Sequence, residues 1–439
     1  MHHQTRSDAS SPSRRTLLKQ AATASLLTVP ALEALAQFRV EVTGVGMKQI
    51  PFSIAPFSGN EGLSQDVAAI IQADLERSGE FRFVPPVAGG FDETSRPDMV
   101  PWRERSTDAL VVGSVKRLAD GRFDITARLW DVVRGVNLGG MGFTVDERGL
   151  RIGAHRTSDF VYEKLTGVKG VFSTRIAYVA KNGRNYQLRI ADADGENSAS
   201  IFNSNQSIIS PAWAPDGRNV AYVSFEARKP VIRTQNIGAQ TRRLLASFRG
   251  SNSAPAWSPD GNSVVATLSL SGNSQLYSIP AGGGSPRRLS QSSDIDTEPA
   301  FSGDGSSIYF VSNRGGSAQI YRMGANGGAA QRITFGGNYN VSPTISPDGK
   351  YMAFISRVSG GDRLHLMDLA SGNVTALTNT SDDESPSFAP NGRLIMYATR
   401  VQGREALMTT TLDGRIRTQL ARASGDIFEP AWGPFTSRV

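Results

Sequence analysis

Pro211-Ala212-Trp213-Ala214-Pro215-Asp216-Gly217 is written again, with small changes, at residues 255–261, 299–305, 343–349 and 386–392. A shortened copy, Pro430-Ala431-Trp432-Gly433-Pro434, stands near the C-terminus. The leading prolines lie 43 or 44 residues apart. A repeat of about 40–45 residues with strand-like contents is the mark of propeller blades. The first Pro of each copy is expected to open a strand, where no ladder N–H is needed, and the bulky residue two places on (Trp213, Trp257, Phe301, Ile345, Phe388, Trp432) to face inward. Pro-Asp-Gly then supplies a turn, because Pro presets φ, Asp bonds its own backbone and Gly accepts positive φ.

An apolar strand should follow each turn, and the sequence provides it: Val220-Ala221-Tyr222-Val223, Val264-Val265-Ala266, Ile308-Tyr309-Phe310-Val311, Met352-Ala353-Phe354-Ile355 and Leu394-Ile395-Met396-Tyr397. Third and fourth strands are read at Gln275-Leu276-Tyr277 and Arg287-Arg288-Leu289, and again at Gln319-Ile320-Tyr321 and Gln331-Arg332-Ile333-Thr334. Ile176-Ala177-Tyr178-Val179 resembles a second strand with no turn before it, while Ala431-Trp432 resembles a first strand with nothing after it. The two fragments complete one blade. The expectation is an all-β ring of six blades over residues 168–439, closed by the C-terminal strand so that no sheet edge is left open at the seam.

The chain of 439 residues has 45 Gly and 22 Pro, as a turn-rich β protein requires, and no Cys. Disulfides, thiolate catalysis and Cys-based zinc sites are thereby excluded. No run of about 18 apolar residues is present to cross a bilayer as a helix. The formal charge is +7, of which the first 36 residues carry +2, and Arg is scattered, so no nucleic-acid face is read. In that first stretch Arg14 and Arg15 precede a modest apolar segment at 21–35, and Ala34-Leu35-Ala36 stands before Gln37. This order of features is that of a twin-arginine export signal over residues 1–36, with cleavage before Gln37 and a periplasmic destination.

Residues 47–167 have a different texture. Ile50-Pro51-Phe52-Ser53-Ile54-Ala55 reads as a strand, and Ser64 is expected to cap a helix whose apolar positions are Val67, Ile70, Ile71 and Leu75, ended by Gly79. Residues 109–113 and 123–130 read as strands, 147–165 as a second helix, and the Pro-rich stretch 85–101 as a surface loop. The expected fold is therefore an α/β N-terminal domain followed by the propeller.

The pieces IPFSIAPF, DLERSGEF, DALVVGSVKR, AHRTSDFVYEKLTGVKGVFSTRIAYVA, SPAWAPDGRNVAYVSFE and NGGAAQRIT resemble the TolB family of the Tol-Pal system, from about Phe38 to the C-terminus. The resemblance implies a periplasmic adaptor that binds the lipoprotein Pal through its propeller and TolA through its N-terminus. It further implies a part in outer-membrane integrity and in envelope constriction at division, with other outer-membrane lipoproteins as a further partner class.

Chemistry finds little support in the residues. No GxSxG elbow is present. Only four His exist, and a structural role is the simplest reading of His155 on the second helix and His365 in a blade strand. Asp192-Ala193-Asp194-Gly195 resembles part of a calcium loop, but Ile190 stands where its first Asp is needed, so it reads as a hairpin turn. No catalytic residue, metal ligand or cofactor is expected. Two other classes stay in view, a propeller hydrolase or lyase with channel carboxylates and a metal, and a periplasmic glycan binder.

Binding surface is sought in the loops that enter the first strands, because these ring one mouth of the channel. The candidates are Ser210, Asn252, Ser253, Ala254, Thr297, Glu298, Tyr339, Asn340, Glu384, Phe428 and Glu429, with Tyr339 and Phe428 as aromatic anchors. For Glu298, Glu384 and Glu429 two readings stand side by side, a partner contact or a bond to the neighbouring blade's backbone. Resemblance implies a Pal contact for Thr297-Glu298 and for the loop at Asn252, Ser253 and Ala254, although Arg249-Gly250-Ser251 stands where the family commonly has a His. Residues 37–46 form a last candidate. Gln37, Phe38, Arg39, Val40, Glu41 and Val42 lead an alternating segment that ends at Gly44-Val45-Gly46, able to dock on its own protein or on a partner's sheet edge. By resemblance it is the TolA-binding switch, hidden when Pal is bound.

Overall fold

The computed structural model describes residues 40–42, 49–87, 94, 96–420 and 425–436. The export signal, Gln37, Phe38, Arg39 and the glycine pair at 44 and 46 lie outside the described residues.

The N-terminal unit is a five-stranded mixed sheet. Strand β1 (Val40–Val42) stands apart from it, and the sheet itself uses β2 (Ile50–Ile54), β3 (Phe81–Phe83), β4 (Ala109–Arg117), β5 (Phe123–Asp131) and β6 (Val136–Val145) in the order β3-β2-β4-β5-β6. Helix α1 (Val67–Arg77) makes the parallel crossover from β2 to β3. One sheet face is covered by α1 and α3 (Leu150–Thr166), which bury Val67, Ile71, Leu75, Leu150, Ala154 and Val161 against Phe52, Ile125 and Leu129. At about 1.5–3 kcal/mol per buried aliphatic side chain, this face carries the unit's stability.

Two expectations for this unit need correction. Helix α1 is capped by Asp66 rather than Ser64: the Asp66 carboxylate accepts from Ala69 N at 3.0 Å and is itself held by Asn60 at 2.7 Å. The Pro-rich stretch is not wholly a loop, since α2 (Val100–Glu104) takes Pro101 into its first turn, where the missing N–H costs nothing, and buries Trp102 on the other sheet face beside Leu110 and Trp130. Strands β3 and β6 had no separate expectation. The second helix is preceded by a 3-10 turn at Glu147–Gly149 and is closed by Gly167 at φ 73°.

Six four-stranded antiparallel blades follow. Blade 1 takes its innermost strand from the C-terminus, Asp426–Trp432, and continues with Arg175–Asn182, Asn185–Asp192 and Ala199–Ser204. Its seam pairs Trp432 with Ile176 and Ala431 with Ala177, the closure read from the sequence. The inner strands of blades 2 to 6 are Ile208–Trp213, Asn252–Trp257, Asp296–Phe301, Asn340–Ile345 and Glu384–Phe388. The apolar core lies between blades rather than inside them: Val179 and Leu188 of blade 1 meet Val220 and Tyr222 of blade 2, and a comparable cluster fills each later gap. Turn chemistry is as read, with Asp216, Asp260, Asp304 and Asp348 each accepting from the backbone N–H two residues on.

The leading Pro does not open its strand. Each inner strand starts two to four residues earlier and carries the Pro at a bulge, where the register slips between Ile209 and Ala212, Ser253 and Ala256, Thr297 and Ala300, Val341 and Thr344, Glu384 and Ser387, and Phe428 and Ala431. A bulge on an edge strand is one of the few places where a sheet tolerates Pro. The residue before it pays in backbone strain: Ser210, Ala254, Glu298, Ser342, Ser385 and Glu429 all have φ between 46° and 53°.

Candidate binding site at the channel mouth

The bulge decides what faces the channel. It leaves the residue before each Pro half-buried at the mouth, Ser210, Ala254, Glu298, Ser342, Ser385 and Glu429, and with it Ser253, Thr297, Glu384 and Phe428, whereas Ile209 and Val341 at the same step pack into the clusters between blades. The structure thus gathers Ser210, Ser253, Ala254, Thr297, Glu298, Glu384, Phe428 and Glu429 into one ring, although they span more than two hundred residues of chain. Glu384 is one place further from its Pro than Glu298 and Glu429 are from theirs.

Within the ring the carboxylates reach sideways. Ser342 donates its N–H to Glu298 Oε2 at 2.7 Å and its hydroxyl at 3.2 Å, joining blade 4 to blade 5. Ser210 donates its N–H to Glu429 Oε2, joining blade 1 to blade 2. The Glu384 carboxyl of blade 6 lies near the Glu429 backbone, with its Oε1 buried and unpartnered among the described residues. Each donor belongs to a residue of positive φ whose N–H the bulge has removed from the ladder, so the acids satisfy groups that would otherwise be orphaned. Burial holds all three carboxyls above their ordinary range. Glu429 is pushed up to about 7, burial first and the nearby Glu384 and Glu298 charges adding to it, against the opposing bond from Ser210. Glu298 is raised by burial against the two bonds from Ser342, and Glu384 by burial and then by Glu405.

Asn252 and Asn340 are placed differently. Both are buried, three residues before the Pro, and spend their amides on their own entry loops: Asn252 accepts from Phe248 N at 2.9 Å and donates to Phe248 and Gly250 carbonyls, while Asn340 donates to Gly336 O at 2.7 Å and Gln319 Oε1 at 2.9 Å. Asp296 and Asp383 do the same work at the same place, Asp296 through Ser292 and Arg314, Asp383 through Leu364 N, Thr378 and Thr380. Blades 2 and 1 substitute buried Ile208 and Ile427. A polar residue recurring at one fixed offset in four consecutive copies was the sequence signal for this staple. Tyr339 is half-buried under the Arg357 guanidinium, 4.1 Å from its ring centre. The sequence reading passed over the exposed apolar side chains near the same mouth, Leu270, Ile295 and Phe335, the last 75% exposed. In the loop entering blade 3, Gly250 at φ 81° lets the chain press against Ser269, which accepts from Ser251 N at 2.7 Å.

A second cluster joins the N-terminal unit to blade 1. His155 of α3, fully buried, has Nδ1 2.6 Å from Asp74 Oδ2 of α1 and Nε2 3.4 Å from Asp194 Oδ2 in the turn between the third and outer strands of blade 1. Arg77 pairs with Asp74 at 2.7 Å, and Arg151 pairs with Asp194. The two carboxylates raise the His155 pKa against burial, which acts the other way as the largest single influence. Asp74, His155 and Asp194 are close enough to hold one cation, but the two guanidinium groups already neutralise the carboxylates such an ion would need. The Asp192–Gly195 stretch is the hairpin turn expected of it, with Asp194 as its addition.

Two family models match the chain, that of the TolB amino-terminal domain over residues 38–138 and that of the TolB beta propeller domain over 162–436. The chain belongs to the TolB family. The Tol-Pal system protein TolB of Albidiferax ferrireducens is 60% identical over 195 residues, and that of Polaromonas naphthalenivorans is 60% identical over 188. These matches cover 44% and 42% of this chain and span less than half of the relatives' own length, 46% and 43%. The crystal structure of TolB from Acinetobacter baumannii superposes with a TM-score of 0.83 at 37% identity, covering 91% of this chain and all of the other. Both relatives carry the name of a Tol-Pal system protein.

Proposed function

We propose that this TolB-family chain is a periplasmic adaptor that binds the lipoprotein Pal at the channel mouth and TolA through residues 37–46, and so supports outer-membrane integrity and invagination of the outer membrane at division. Residues 1–36 act as the twin-arginine signal, 47–167 as the α/β domain and 168–439 as the propeller. The observation that carries the reading is the ring: six bulges present half-buried side chains of mixed acidic, hydroxyl and aromatic character, flanked by exposed Ile295 and Phe335, at a mouth with no catalytic constellation among its described residues. Exposed apolar side chains beside a polar ring are what a protein partner buries. Titration of Pal into the folded protein tests it. Thr297→Tyr fills the ring and is expected to weaken binding at least tenfold with an unchanged melting temperature, and wild-type affinity in that variant would remove Pal from this mouth.

A further inference from the structure

The positive charge of the propeller is concentrated on blades 2, 3 and 4. From residue 227 to 259, from 261 to 293 and from 305 to 347 there is no Asp or Glu at all. These stretches contain the third and outer strands of the three blades, Val231–Asn236 with Arg242–Ala246, Gln275–Pro280 with Arg287–Arg288, and Gln319–Gly324 with Gln331–Arg332. On these strands Arg242 is paired with Glu226, whereas the exposed Arg243, Arg287, Arg288 and Arg322 are not ion-paired among the described residues.

Their polar partners among the described residues are uncharged. Arg243 Nη2 donates to Gly282 O of the next blade at 2.7 Å, and Arg287 Nη1 donates to Asn326 O of the blade after it at 3.0 Å. Arg288 is held by Ser290 O and Gln275 Oε1, and Arg322 by the Ser307 hydroxyl. Such bonds fix each guanidinium without cancelling its charge. Elsewhere the pattern is different: Arg122, Arg134, Lys350 and Arg400 each sit beside a carboxylate.

The reach from blade 2 to blade 3 and from blade 3 to blade 4 makes these cations one continuous row along the propeller's perimeter. Arg243, Arg287 and Arg322 lie near the turns that join third and outer strands, the side opposite the entry loops of the channel mouth, while Arg288 reaches along the blade edge to Gln275 at the start of its third strand. The α/β unit meets the propeller on blades 1 and 6, through Asp194 and through the Asn391 side chain, which donates to Lys169 O, and so stands at a different part of the ring.

We propose that this row is a docking surface for an anionic phospholipid bilayer. A row spread over three blades does not converge on a pocket, so it suits a plane of repeated anions. Guanidinium groups match phosphate oxygens in paired hydrogen bonds. Leu244, 52% exposed beside Arg243 on the outermost strand, adds an apolar contact at the same edge. The surface is separate from the channel mouth, and the inference does not depend on the partners proposed above.

Co-sedimentation of the full chain with vesicles of phosphatidylcholine containing phosphatidylglycerol tests it, every variant carrying the same residues 1–36 so that their charge cancels. Wild type is expected to bind these vesicles at low salt, to ignore pure phosphatidylcholine, and to release as salt shortens the Debye length. Replacing Arg243, Arg287, Arg288 and Arg322 by Gln together is expected to weaken binding on the order of a hundredfold or more, with melting temperature unchanged. The charge-matched replacement of Arg122, Arg134, Lys350 and Arg400 should stay within about threefold of wild type, since those cations are already paired. The proposal is overturned if wild type ignores the anionic vesicles at low salt, if the fourfold rim variant still binds them, or if the rim captures polyglutamate but not vesicles.

Discussion

His155 Nδ1 sits 2.6 Å from Asp74 Oδ2 with no solvent exposure on the histidine, and its other ring nitrogen faces Asp194 of the propeller. One imidazole therefore closes a contact between α1, α3 and blade 1. Breaking a buried pair by removing one partner leaves an uncompensated charge and costs about 3–5 kcal/mol. His155→Gln is expected to lower the melting temperature and to expose the 168–174 linker to limited proteolysis, with Asp194→Asn acting in the same direction. A variant that melts like wild type and resists protease would show that packing alone joins the two units.

Glu429 gives a pH signature of the opposite kind from a surface acid. Its folded pKa, about 7, lies above the ordinary 4.5, so the folded chain holds this proton more tightly than the unfolded one. The stabilisation is complete below about pH 4.5 and is lost as pH rises to about 7. Glu429→Gln keeps an oxygen for the Ser210 N–H and removes the buried charge. It is expected to match wild type at pH 4 and to exceed it by on the order of 1 kcal/mol at pH 8, read as melting temperatures at both pH values. Asp159, whose carboxylate accepts from Phe172 and Ser173 N–H groups and is pushed up to about 6 by burial, titrates in the same sense.

How much of this was legible follows residue by residue. The repeat period and the Asp-Gly turns are local chemistry, so blade number and closure at Trp432 and Ile176 could be read directly. The bulge at each Pro could not, because it depends on a cross-strand register that no single strand displays. Consequently a bond from Glu429 to the neighbouring blade's backbone could be read as one of two alternatives, while its donor, the Ser210 N–H that the bulge frees, could not. Asp74 was invisible for a related reason: it lies on the buried stripe of α1 with Ile71 and Leu75, and only the fold brings His155 and Asp194 to it.

Ala254 tests the strain assigned to the bulges. An L-residue in the left-handed region costs about 1–2 kcal/mol, which Gly avoids. Ala254→Gly, at φ 46°, is expected to leave stability unchanged or raise it by up to about 1 kcal/mol once the freer unfolded chain is counted. The same replacement at Ala256, paired with Val265 in ordinary strand geometry, should cost about 0.5–1 kcal/mol. Equal losses at both sites in chemical denaturation would mean that the bulge is unstrained.

Strand β1 extends blade 6 by pairing Val40 with Thr418, Glu41 with Arg417 and Val42 with Ile416. Three residues of pairing on an edge form a weak attachment, as the proposed switch requires. Ile416 is also the residue against which α1 ends: a Cβ placed on Gly79 would come within 3.2 Å of its Cδ1 and 2.7 Å of Thr411 Cγ2. Gly79→Val, further strained at φ 82°, should push this edge away and loosen β1 without touching it. Hydrogen exchange in the Ile416–Gln419 strand is expected to rise about tenfold in Gly79→Val and to the same level when residues 37–43 are deleted. Protection that survives both changes would place the stability of this edge in blade 6 itself and leave β1 no part in it.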